Sequence, residues 1–477
     1  MTAFIMIDFQ RKRGGNVAGV EKKTKTAADA KAGAPTRALP RVAVTTLGCK
    51  VNQCDSAGLA ATLVKEGMTL VPFGAEADWI IINTCTVTAK TDNQSRQLIR
   101  RAVRQHPKAQ ILVTGCYAQR APEEIARISG VRLIAGNKEK AMIPVLLASL
   151  ADEAVPQVKV GEIGGERRFV PLEATVFPEH TRSFLKIQDG CDAFCTYCIV
   201  PYARGHCRSL PPAEVSAAVR CLADKGYREV VLTGVHLGAY GRDLKPPEDL
   251  TSLLAGLLAE NLVDRLRLSS IEPREITEGL LAMMWEGKGL CRHLHIPLQS
   301  GDDGILKSMR RNYDAAFFHT LIKKIHQTVP GIAIGIDCLV GFPGETEAAF
   351  DNTYELIEAL PVAYLHVFPY SRRPGTPAAS LPGQIPEEEK NRRSLRLRRL
   401  GTRKRRVFAR QFLGHPMPVL IEDRIDGATG SLLGLSDHYI PVAVLGSVKA
   451  NQLVSVLPQT YREGRLIAEV LHAEVLP

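Results

Sequence analysis

Three cysteines lie close together near the middle of the chain. Cys191, Cys195 and Cys198 form a Cys-x3-Cys-x2-Cys pattern. Thiolates are the preferred ligands of iron–sulfur clusters and also bind zinc. A cubane cluster normally takes four thiolates, so a set of three leaves one iron open for an exchangeable ligand. Structural zinc, with Cys207 as a fourth ligand, is the alternative. The spacing favours the cluster.

Three other cysteines are far apart in sequence but share one local setting. Cys49, Cys85 and Cys116 each lie two or three residues past a predicted strand, at residues 41–47, 79–82 and 111–114. Helical stretches separate these strands and a fourth at residues 131–135, which predicts a doubly wound parallel sheet. Because parallel strands end at one edge of such a sheet, we expect the three thiols to converge there. Three unrelated core cysteines are the alternative.

The predicted strands of the rest of the chain show where Cys191, Cys195 and Cys198 lie in the fold. Six strands are predicted at residues 184–187, 229–233, 266–270, 293–298, 332–340 and 364–370. Such β/α repeats indicate a partial six-fold barrel whose catalytic groups lie at the C-terminal strand ends, and residues 191–198 follow its first strand. Short alternating strands over residues 408–477 predict a small all-β barrel. The predicted fold class is therefore α/β multidomain, with a doubly wound sheet, a partial (βα)6 barrel and a small C-terminal β-barrel.

These patterns divide the chain into five segments. We expect a disordered basic tail at 1–38, a first domain at 39–150, a linker at 151–177, the partial barrel at 178–407 and the small β-barrel at 408–477. Residues 390–406 are densely basic, which is equally typical of a solvated helix face and of a nucleic-acid contact.

Composition limits the classes of function. The 477 residues carry a net charge of +11, which suits an acidic partner such as nucleic acid. No apolar run reaches the roughly 18 residues that span a membrane, and no secretory signal is recognisable. The eleven cysteines are an odd number in a chain that we expect to be cytoplasmic, which argues against a disulfide framework.

The chain resembles a known family at many points. Residues 184–205, which include the Cys-x3-Cys-x2-Cys pattern, look like the methylthiotransferase branch of the radical S-adenosylmethionine (SAM) superfamily. The same holds for residues 46–52 (TLGCKVN), 83–87, 114–117, 232–238, 269–273, 295–301, 340–346 and 368–371. The resemblance covers about residues 40–477. The Gly-Cys-Lys-Val-Asn form is most similar to the subgroup that acts on N6-threonylcarbamoyladenosine in tRNA, whereas isopentenyl-adenosine enzymes tend to carry Gln-Met in place of Lys50 and Val51.

The resemblance implies the domain roles and the cofactors. Residues 39–150 would be the auxiliary-cluster methylthiotransferase domain, 178–407 the radical SAM domain and 408–477 a TRAM-like RNA-binding barrel. Two 4Fe–4S clusters are implied, one on Cys191, Cys195 and Cys198 and an auxiliary one on the other three cysteines, together with SAM. The expected partners are tRNA and a reductant protein of the flavodoxin or ferredoxin type; no membrane is involved.

The resemblance also implies the reaction. One electron enters the radical cluster and cleaves SAM, and the 5′-deoxyadenosyl radical removes hydrogen from C2 of the adenine of N6-threonylcarbamoyladenosine next to the anticodon. A sacrificial or relayed sulfur at the auxiliary cluster and a methyl group from a second SAM complete the 2-methylthio derivative. The cofactor supplies the reactivity, and the protein supplies position and burial.

Residues outside the two cysteine sets carry weaker signals. Gly234, Ser270 and Gln299 lie at the ends of barrel strands and are candidates for binding SAM; a turn glycine and structural hydrogen bonds are equally good interpretations. Cys54 is expected on a helix face, with a spare thiol near the auxiliary cluster as the alternative. One departure from relatives is Leu210, where they tend to carry arginine.

Two other functions compete with tRNA modification. The same machinery could methylthiolate a ribosomal-protein side chain, and a non-catalytic iron–sulfur RNA sensor belongs to a different class. The basic stretch at 390–406 and the Lys50-Val51 pair favour tRNA over the first, and the intact six-strand barrel favours an enzyme over the second.

Overall fold

The computed structural model of the chain describes residues 7–8, 39–149, 156–171 and 181–472. The disorder predicted for residues 1–38 lies outside these residues, except at Ile7 and Asp8, which form a short strand. Among the residues described, no helix is long and apolar enough to cross a membrane.

The first unit is a mostly parallel sheet with helices on both faces. Its elements in chain order are β1 (Ile7–Asp8), β2 (Arg41–Thr46), α1 (Lys50–Lys65), β3 (Thr69–Leu70), β4 (Trp79–Thr84), α2 (Ala89–Gln105), β5 (Gln110–Gly115), α3 (Cys116–Arg120), α4 (Pro122–Ala126), β6 (Val131–Ala135), α5 (Ile143–Ala148) and β7 (Gln157–Lys159). The strand order is β1-β2-β4-β5-β6-β7, with β3 also on β2. The chain reverses direction across the sheet between β2 and β4, which is the position where open α/β sheets bind ligands.

Apolar side chains on both faces of this sheet explain the two helical layers. Alternate residues of β2, such as Val42 and Ala43, belong to separate buried cores, one packed under α1 and α5 and the other under α2. The sheet continues into the segment that we predict as a linker, because β7 pairs with β6. The predicted doubly wound sheet is confirmed.

The second unit is a half-barrel of parallel strands. Its elements are β8 (Ser183–Lys186), β9 (Gln188–Asp189), α6 (Val200–Arg204), β10 (Arg208–Ser209), α7 (Pro212–Asp224), β11 (Glu229–Thr233), α8 (Leu250–Glu260), β12 (Arg265–Leu268), α9 (Glu278–Glu286), β13 (His293–Gln299), α10 (Asp303–Ser308), α11 (Ala315–Thr328), β14 (Ala333–Val340), α12 (Glu347–Ala359), β15 (Tyr364–Pro369) and α13 (Glu387–Arg410). The sheets β8-β11-β12 and β13-β14-β15 are linked by single parallel bridges, including Ser270 with His295. The six predicted strands are confirmed, with ends shifted by one or two residues.

The third unit is a closed five-stranded barrel that packs against the N-terminal ends of the half-barrel strands. It contains β16 (Met417–Ile425), β17 (Leu432–Ser436), β18 (Pro441–Leu445), β19 (Leu453–Arg462) and β20 (Arg465–His472), ordered β16-β17-β18-β20-β19. Arg267 of β12 donates hydrogen bonds to the carbonyls of Ser436 and Asp437 at 3.0 and 2.9 Å. The ring of Tyr439 lies 4.6 Å from that of His293, the first residue of β13. The C-terminal barrel therefore closes the end of the half-barrel opposite the predicted catalytic mouth.

The first unit covers the open side of the half-barrel. On one edge, α1 packs against β8, with the Cys54 thiol 3.5 Å from the carbonyl of Phe184. Beyond the other edge, Arg373 lies 2.6 Å from the Asp92 carboxylate of α2.

A buried network of charges joins the first unit to the half-barrel. Asp55 of α1 pairs with Lys140 at 2.8 Å, with Arg204 at 3.0 Å and with Lys186. Arg204 also pairs with Asp189 at 2.8 Å. Burial alone would raise the pKa of Asp55, but the three cations lower it well below its usual value. Buried ions are stable only when opposite charges lie beside them. The loss of one partner therefore leaves buried charges without compensation.

We predict that Asp55→Asn lowers the free energy of unfolding by about 3–5 kcal/mol at pH 7, because three buried cations then share one carboxylate. Since folding depresses the pKa of Asp55, its contribution is complete above the unfolded value of about 4 and is lost only as pH falls through the folded value. The measurement is the first transition in a urea titration. Glu260→Gln is the control, since its exposed partner Arg220 makes that pair worth less than about 1 kcal/mol. If Asp55→Asn lowers the free energy of unfolding no more than Glu260→Gln does, the role given to Asp55 in the buried charge network is wrong.

Candidate functional site

The three dispersed cysteines meet at one edge of the first sheet, as predicted. Cys49 precedes α1, Cys85 directly follows β4 and Cys116 begins α3 directly after β5. The strands β4 and β5 run further than predicted, because Thr84 pairs with Gly115, so Cys85 and Cys116 come immediately after their strands. Cys49 is exposed, whereas Cys85 and Cys116 are buried.

Two glycines make this convergence possible. Gly48 has φ +121°, and a side chain there would place its Cβ 2.8 Å from the Cβ of Cys85. Gly115 has φ +97°, and its Cβ would lie 2.4 Å from the carbonyl oxygen of Thr84. Only glycine tolerates both the positive φ and the close approach. Each Gly-Cys pair therefore turns the chain sharply enough to bring its thiol to the shared edge.

Asn52 fixes the turn that carries Cys49. Its side-chain amide donates to the carbonyls of Leu47 and Thr84, at 2.8 and 3.0 Å, which ties the ends of β2 and β4 together. Its carbonyl oxygen accepts a hydrogen bond from Arg204 at 2.5 Å. Asn52 thus links the first cysteine set to the half-barrel.

The electrostatic setting of these thiols suits a bound metal cluster. Burial raises the pKa of Cys85, and the neighbouring Cys116 and Cys49 raise it further. The side-chain amide of Asn137 points at the sulfur of Cys116 from 3.7 Å. Three such thiols become thiolates together only when a metal centre neutralises them.

The second cysteine set lies on a loop at the mouth of the half-barrel. The loop leaves β9, and Cys191 donates its backbone N–H to the carbonyl of Gly205 at 3.0 Å. Thr196 fastens the centre of the loop: its N–H donates to Met309 at 3.1 Å and its hydroxyl to Ser308 at 2.8 Å. Cys191, Cys195 and Cys198 are therefore held on a rigid frame at the C-terminal strand ends.

Hydrogen-bond donors surround the sulfurs of this second set. The Arg311 guanidinium donates to Cys195 Sγ at 3.3 Å, and the backbone N–H of Ala193 donates to Cys191 Sγ at 3.5 Å. His236 lies with Nδ1 3.5 Å from the same sulfur and Nε2 3.0 Å from Glu275. Donors aimed at sulfur stabilise thiolates and tune the potential of a bound cluster.

The separation of the thiols argues against a single zinc ion. Tetrahedral zinc, with Zn–S bonds of about 2.3 Å, holds its sulfurs within roughly 4 Å of one another. Of the His, Cys, Asp and Glu side chains in the described part of the chain, only His295, Asp337 and His366 bring three ligand atoms within 4.8 Å. Neither cysteine set does so, which fits a larger multi-iron centre in both places.

A cavity of about 450 Å³ opens beside Cys195, lined among others by His236, Glu272, Glu275 and Arg311. The sequence singled out other residues for cofactor binding. Gly234, Ser270 and Gln299 do not line this cavity, although all three lie at the same end of the half-barrel.

The structure gives these three candidates different surroundings. A side chain at Gly234 would meet Gln188 at 2.7 Å, so this glycine is needed for packing. Ser270 is exposed two residues beyond β12. Gln299 ends β13 with φ +67°, and its carbonyl accepts from the Cys338 thiol. Their role in binding SAM stays a prediction. Glu272, which belongs to the family-like stretch 269–273, is a residue that the motif could have identified.

The other cysteines are mainly structural. Cys54, Cys291 and Cys338 are buried, and Cys54 packs in the core beneath α1, as expected for a helix-face cysteine. Cys207 is half-buried near the mouth, with its thiol 3.8 Å from the carbonyl of Gly190. At the position of the departure from relatives, Leu210 is buried in the core of the half-barrel.

Comparison with known proteins decides the family. Residues 41–136 match the family described as "Uncharacterized protein family UPF0004", and residues 185–357 match the "Radical SAM superfamily". The threonylcarbamoyladenosine tRNA methylthiotransferase MtaB of Bacillus subtilis is 39% identical over 439 residues, which cover 90% of this chain and 97% of the relative. The corresponding protein of Aquifex aeolicus is 38% identical, over 87% of this chain and 100% of its own. This chain belongs to the radical SAM methylthiotransferase family.

A third relative agrees with this membership, and a solved structure shares the fold. The tRNA-2-methylthio-N(6)-dimethylallyladenosine synthase of Novosphingobium aromaticivorans is 34% identical, over 91% of this chain and 99% of its own. The radical SAM methyltransferase TsrM of Kitasatospora setae shares the fold, with a TM-score of 0.52 and 16% identity over 69% of this chain and 72% of TsrM. The predicted enzyme class is confirmed, and with it the use of a 4Fe–4S cluster and SAM.

Proposed function

We propose that this methylthiotransferase converts N6-threonylcarbamoyladenosine, next to the anticodon of tRNA, to its 2-methylthio derivative. Relatives that are named for this substrate align over nearly their whole length. The observation that carries the proposal is that Arg204, six residues past Cys198, hydrogen-bonds both Asp189 of the half-barrel and Asn52, three residues past Cys49, so that one side chain joins the two cysteine sets. Activation of a C–H bond and delivery of sulfur need two such centres within reach of the same carbon atom.

Cys191, Cys195 and Cys198 would hold the radical cluster. When bound, that cluster chelates SAM at its open iron and, on reduction, supplies a radical able to attack an unactivated aryl C–H bond. The protein's own groups act around it. Arg311 donates to Cys195 and pairs with Glu272, which keeps a cation beside the sulfur and an acceptor at the cavity wall.

Cys49, Cys85 and Cys116 would hold the auxiliary cluster, at which sulfur is presented. Cys49 is exposed while the other two are buried, so the centre would be anchored in the sheet and open on one side. A flavodoxin- or ferredoxin-type protein would deliver the electron.

We infer that tRNA contacts the exposed face of α13. Much of the positive charge on this helix is already compensated: Arg392, Arg393 and Arg396 bind Glu347, and Arg403 binds Glu358. Arg399 and Arg406 are exposed and have no acidic partner within the described residues. Seven residues apart, they lie on one face of the helix, spaced to meet successive phosphates.

The proposed roles predict a division of labour between the cysteine sets. The wild type purified without oxygen should contain about eight iron atoms and each triple alanine variant about four. With SAM, a reductant and tRNA carrying N6-threonylcarbamoyladenosine, the Cys49/Cys85/Cys116 variant should form 5′-deoxyadenosine but no methylthio product. The Cys191/Cys195/Cys198 variant should form neither. Both compounds are quantified by mass spectrometry.

Two results would overturn this assignment. One is methylthio product from either variant. The other is zinc in place of iron in the wild type. A variant that loses both clusters is replaced by the single changes Cys49→Ser and Cys198→Ser, which must show the same division.

Reversal of Arg399 and Arg406 to Glu should weaken tRNA binding at least tenfold and flatten its salt dependence, because each lost phosphate contact removes about 0.7–0.9 from the slope of log K against log salt. The matched control is Lys307→Glu with Lys323→Glu, which makes the same change in net charge on α10 and α11. Affinity is measured by anaerobic filter binding over a salt series. Equal losses in the two double variants would mean that only net charge matters, and would contradict a contact on α13.

A further inference from the structure

Lys50 stands between the auxiliary cysteines and the interior of the half-barrel. It is the first residue of α1 and directly follows Cys49, which is exposed. Its amine lies 5.7 Å from the ring centroid of Phe184, on the strand β8 at the edge of the half-barrel. The side chain is half-buried. It therefore extends from the cysteine edge of the first sheet toward the half-barrel.

The other cations around Lys50 are all compensated. Arg267 pairs with Glu229 at 2.7 Å, and Arg182 pairs with Glu422 at 3.0 Å. Lys186, two residues beyond Phe184, pairs with Asp189 at 3.0 Å. Within the described residues, Lys50 alone in this group has no ion pair and no side-chain hydrogen bond; its attractions are the contact with the Phe184 ring and longer-range electrostatic attraction to Tyr439 and Glu229.

A partly buried ammonium group without an ion pair favours an incoming anion. A cation–π contact contributes only about 0.5–2 kcal/mol, whereas a charge-assisted hydrogen bond from a buried amine adds about 1.5–3 kcal/mol. Carboxylates are natural partners for such an amine. Among the described residues, the carboxylate that acts on Lys50 is Glu229, which is already bound to Arg267 and Arg265.

The geometry points to a carboxylate-binding site at Lys50 that holds the amino-acid part of the modified nucleoside. This inference rests on the proposed function. In adenine, C2 and C6 both flank N1, so a substituent on N6 lies within a few bonds of the carbon that receives sulfur. If C2 approaches Cys49, the residue next to Cys49 is placed to reach the N6 substituent. The threonylcarbamoyl group carries a carboxylate there, whereas an isopentenyl group is a neutral hydrocarbon.

The same contact explains how the enzyme could select its substrate. A site built to bind a charged group rejects an analogue without it, because the amine is then left desolvated and unpaired. Lys50 would act as a specificity residue: it touches the substrate away from the reacting carbon and takes no part in radical formation.

The test compares anticodon stem-loop RNAs that differ only at the carboxylate. One carries N6-threonylcarbamoyladenosine as the free acid, and the other carries its neutral methyl ester. Wild-type protein should bind the acid at least tenfold more tightly than the ester and show a correspondingly lower KM for it. Lys50→Gln should bind acid and ester equally, through a loss for the acid alone. Lys50→Arg should keep most of the preference, and Lys65→Gln, at the other end of α1, should keep all of it.

The outcomes separate this inference from the proposed function. If the wild type does not methylthiolate the acid RNA, the proposed function fails. If it does so but does not distinguish acid from ester, or if Lys50→Gln keeps the wild-type preference, the carboxylate site is wrong and the function stands. Iron content is measured in each variant to check the Cys49 centre. Even where Lys50→Gln loses iron, the comparison of acid and ester on the wild type tests whether the carboxylate is recognised.

Discussion

The arrangement of the two cysteine sets depends on one buried side chain, Arg204. It lies six residues beyond Cys198, at the end of the short helix that follows the radical loop, and is almost completely buried. One of its nitrogens binds Asp189 and the other binds Asn52 and Asp55 of α1. Asn52 in turn holds the turn that carries Cys49. A single guanidinium therefore connects both cysteine sites across the interface of two units.

This connection is ionic for a physical reason. Two apolar surfaces can slide past each other at little cost, whereas a planar guanidinium that satisfies three acceptors permits one geometry. The net stabilisation from buried ions is modest, because desolvation offsets their attraction. Their contribution here is to fix the position of the first cysteine set relative to the second. Lys140 and Lys186 also bind Asp55, so that with Arg204 three cations face the two carboxylates Asp55 and Asp189.

Sequence reasoning predicts the repeated elements well and the interfaces poorly. Buried parallel strands such as β4 contain continuous apolar runs, here residues 79–82, and the edge of the sheet at which they end follows from topology, so convergence of Cys49, Cys85 and Cys116 was predictable. The strand β7 was not, since three residues at the edge of a sheet have no periodicity to detect. Contacts of Arg204 span 149 residues of sequence, and the isolation of Lys50 appears only when the surrounding charges can be paired with their partners. The close approach of Gln188 to Gly234 could not be read from the sequence either, and the role of Gly234 in binding SAM stays a prediction.

The account is tested most directly by the tRNA of cells that lack this protein. Digested tRNA is analysed by nucleoside mass spectrometry, with and without a copy of the gene returned, and with a copy in which Cys49 is changed to alanine. The account predicts that the 2-methylthio derivative disappears, that N6-threonylcarbamoyladenosine accumulates in its place, and that only the wild-type copy restores the derivative. Unchanged amounts of the derivative in cells without the protein, or its full restoration by the Cys49→Ala copy, would contradict the account.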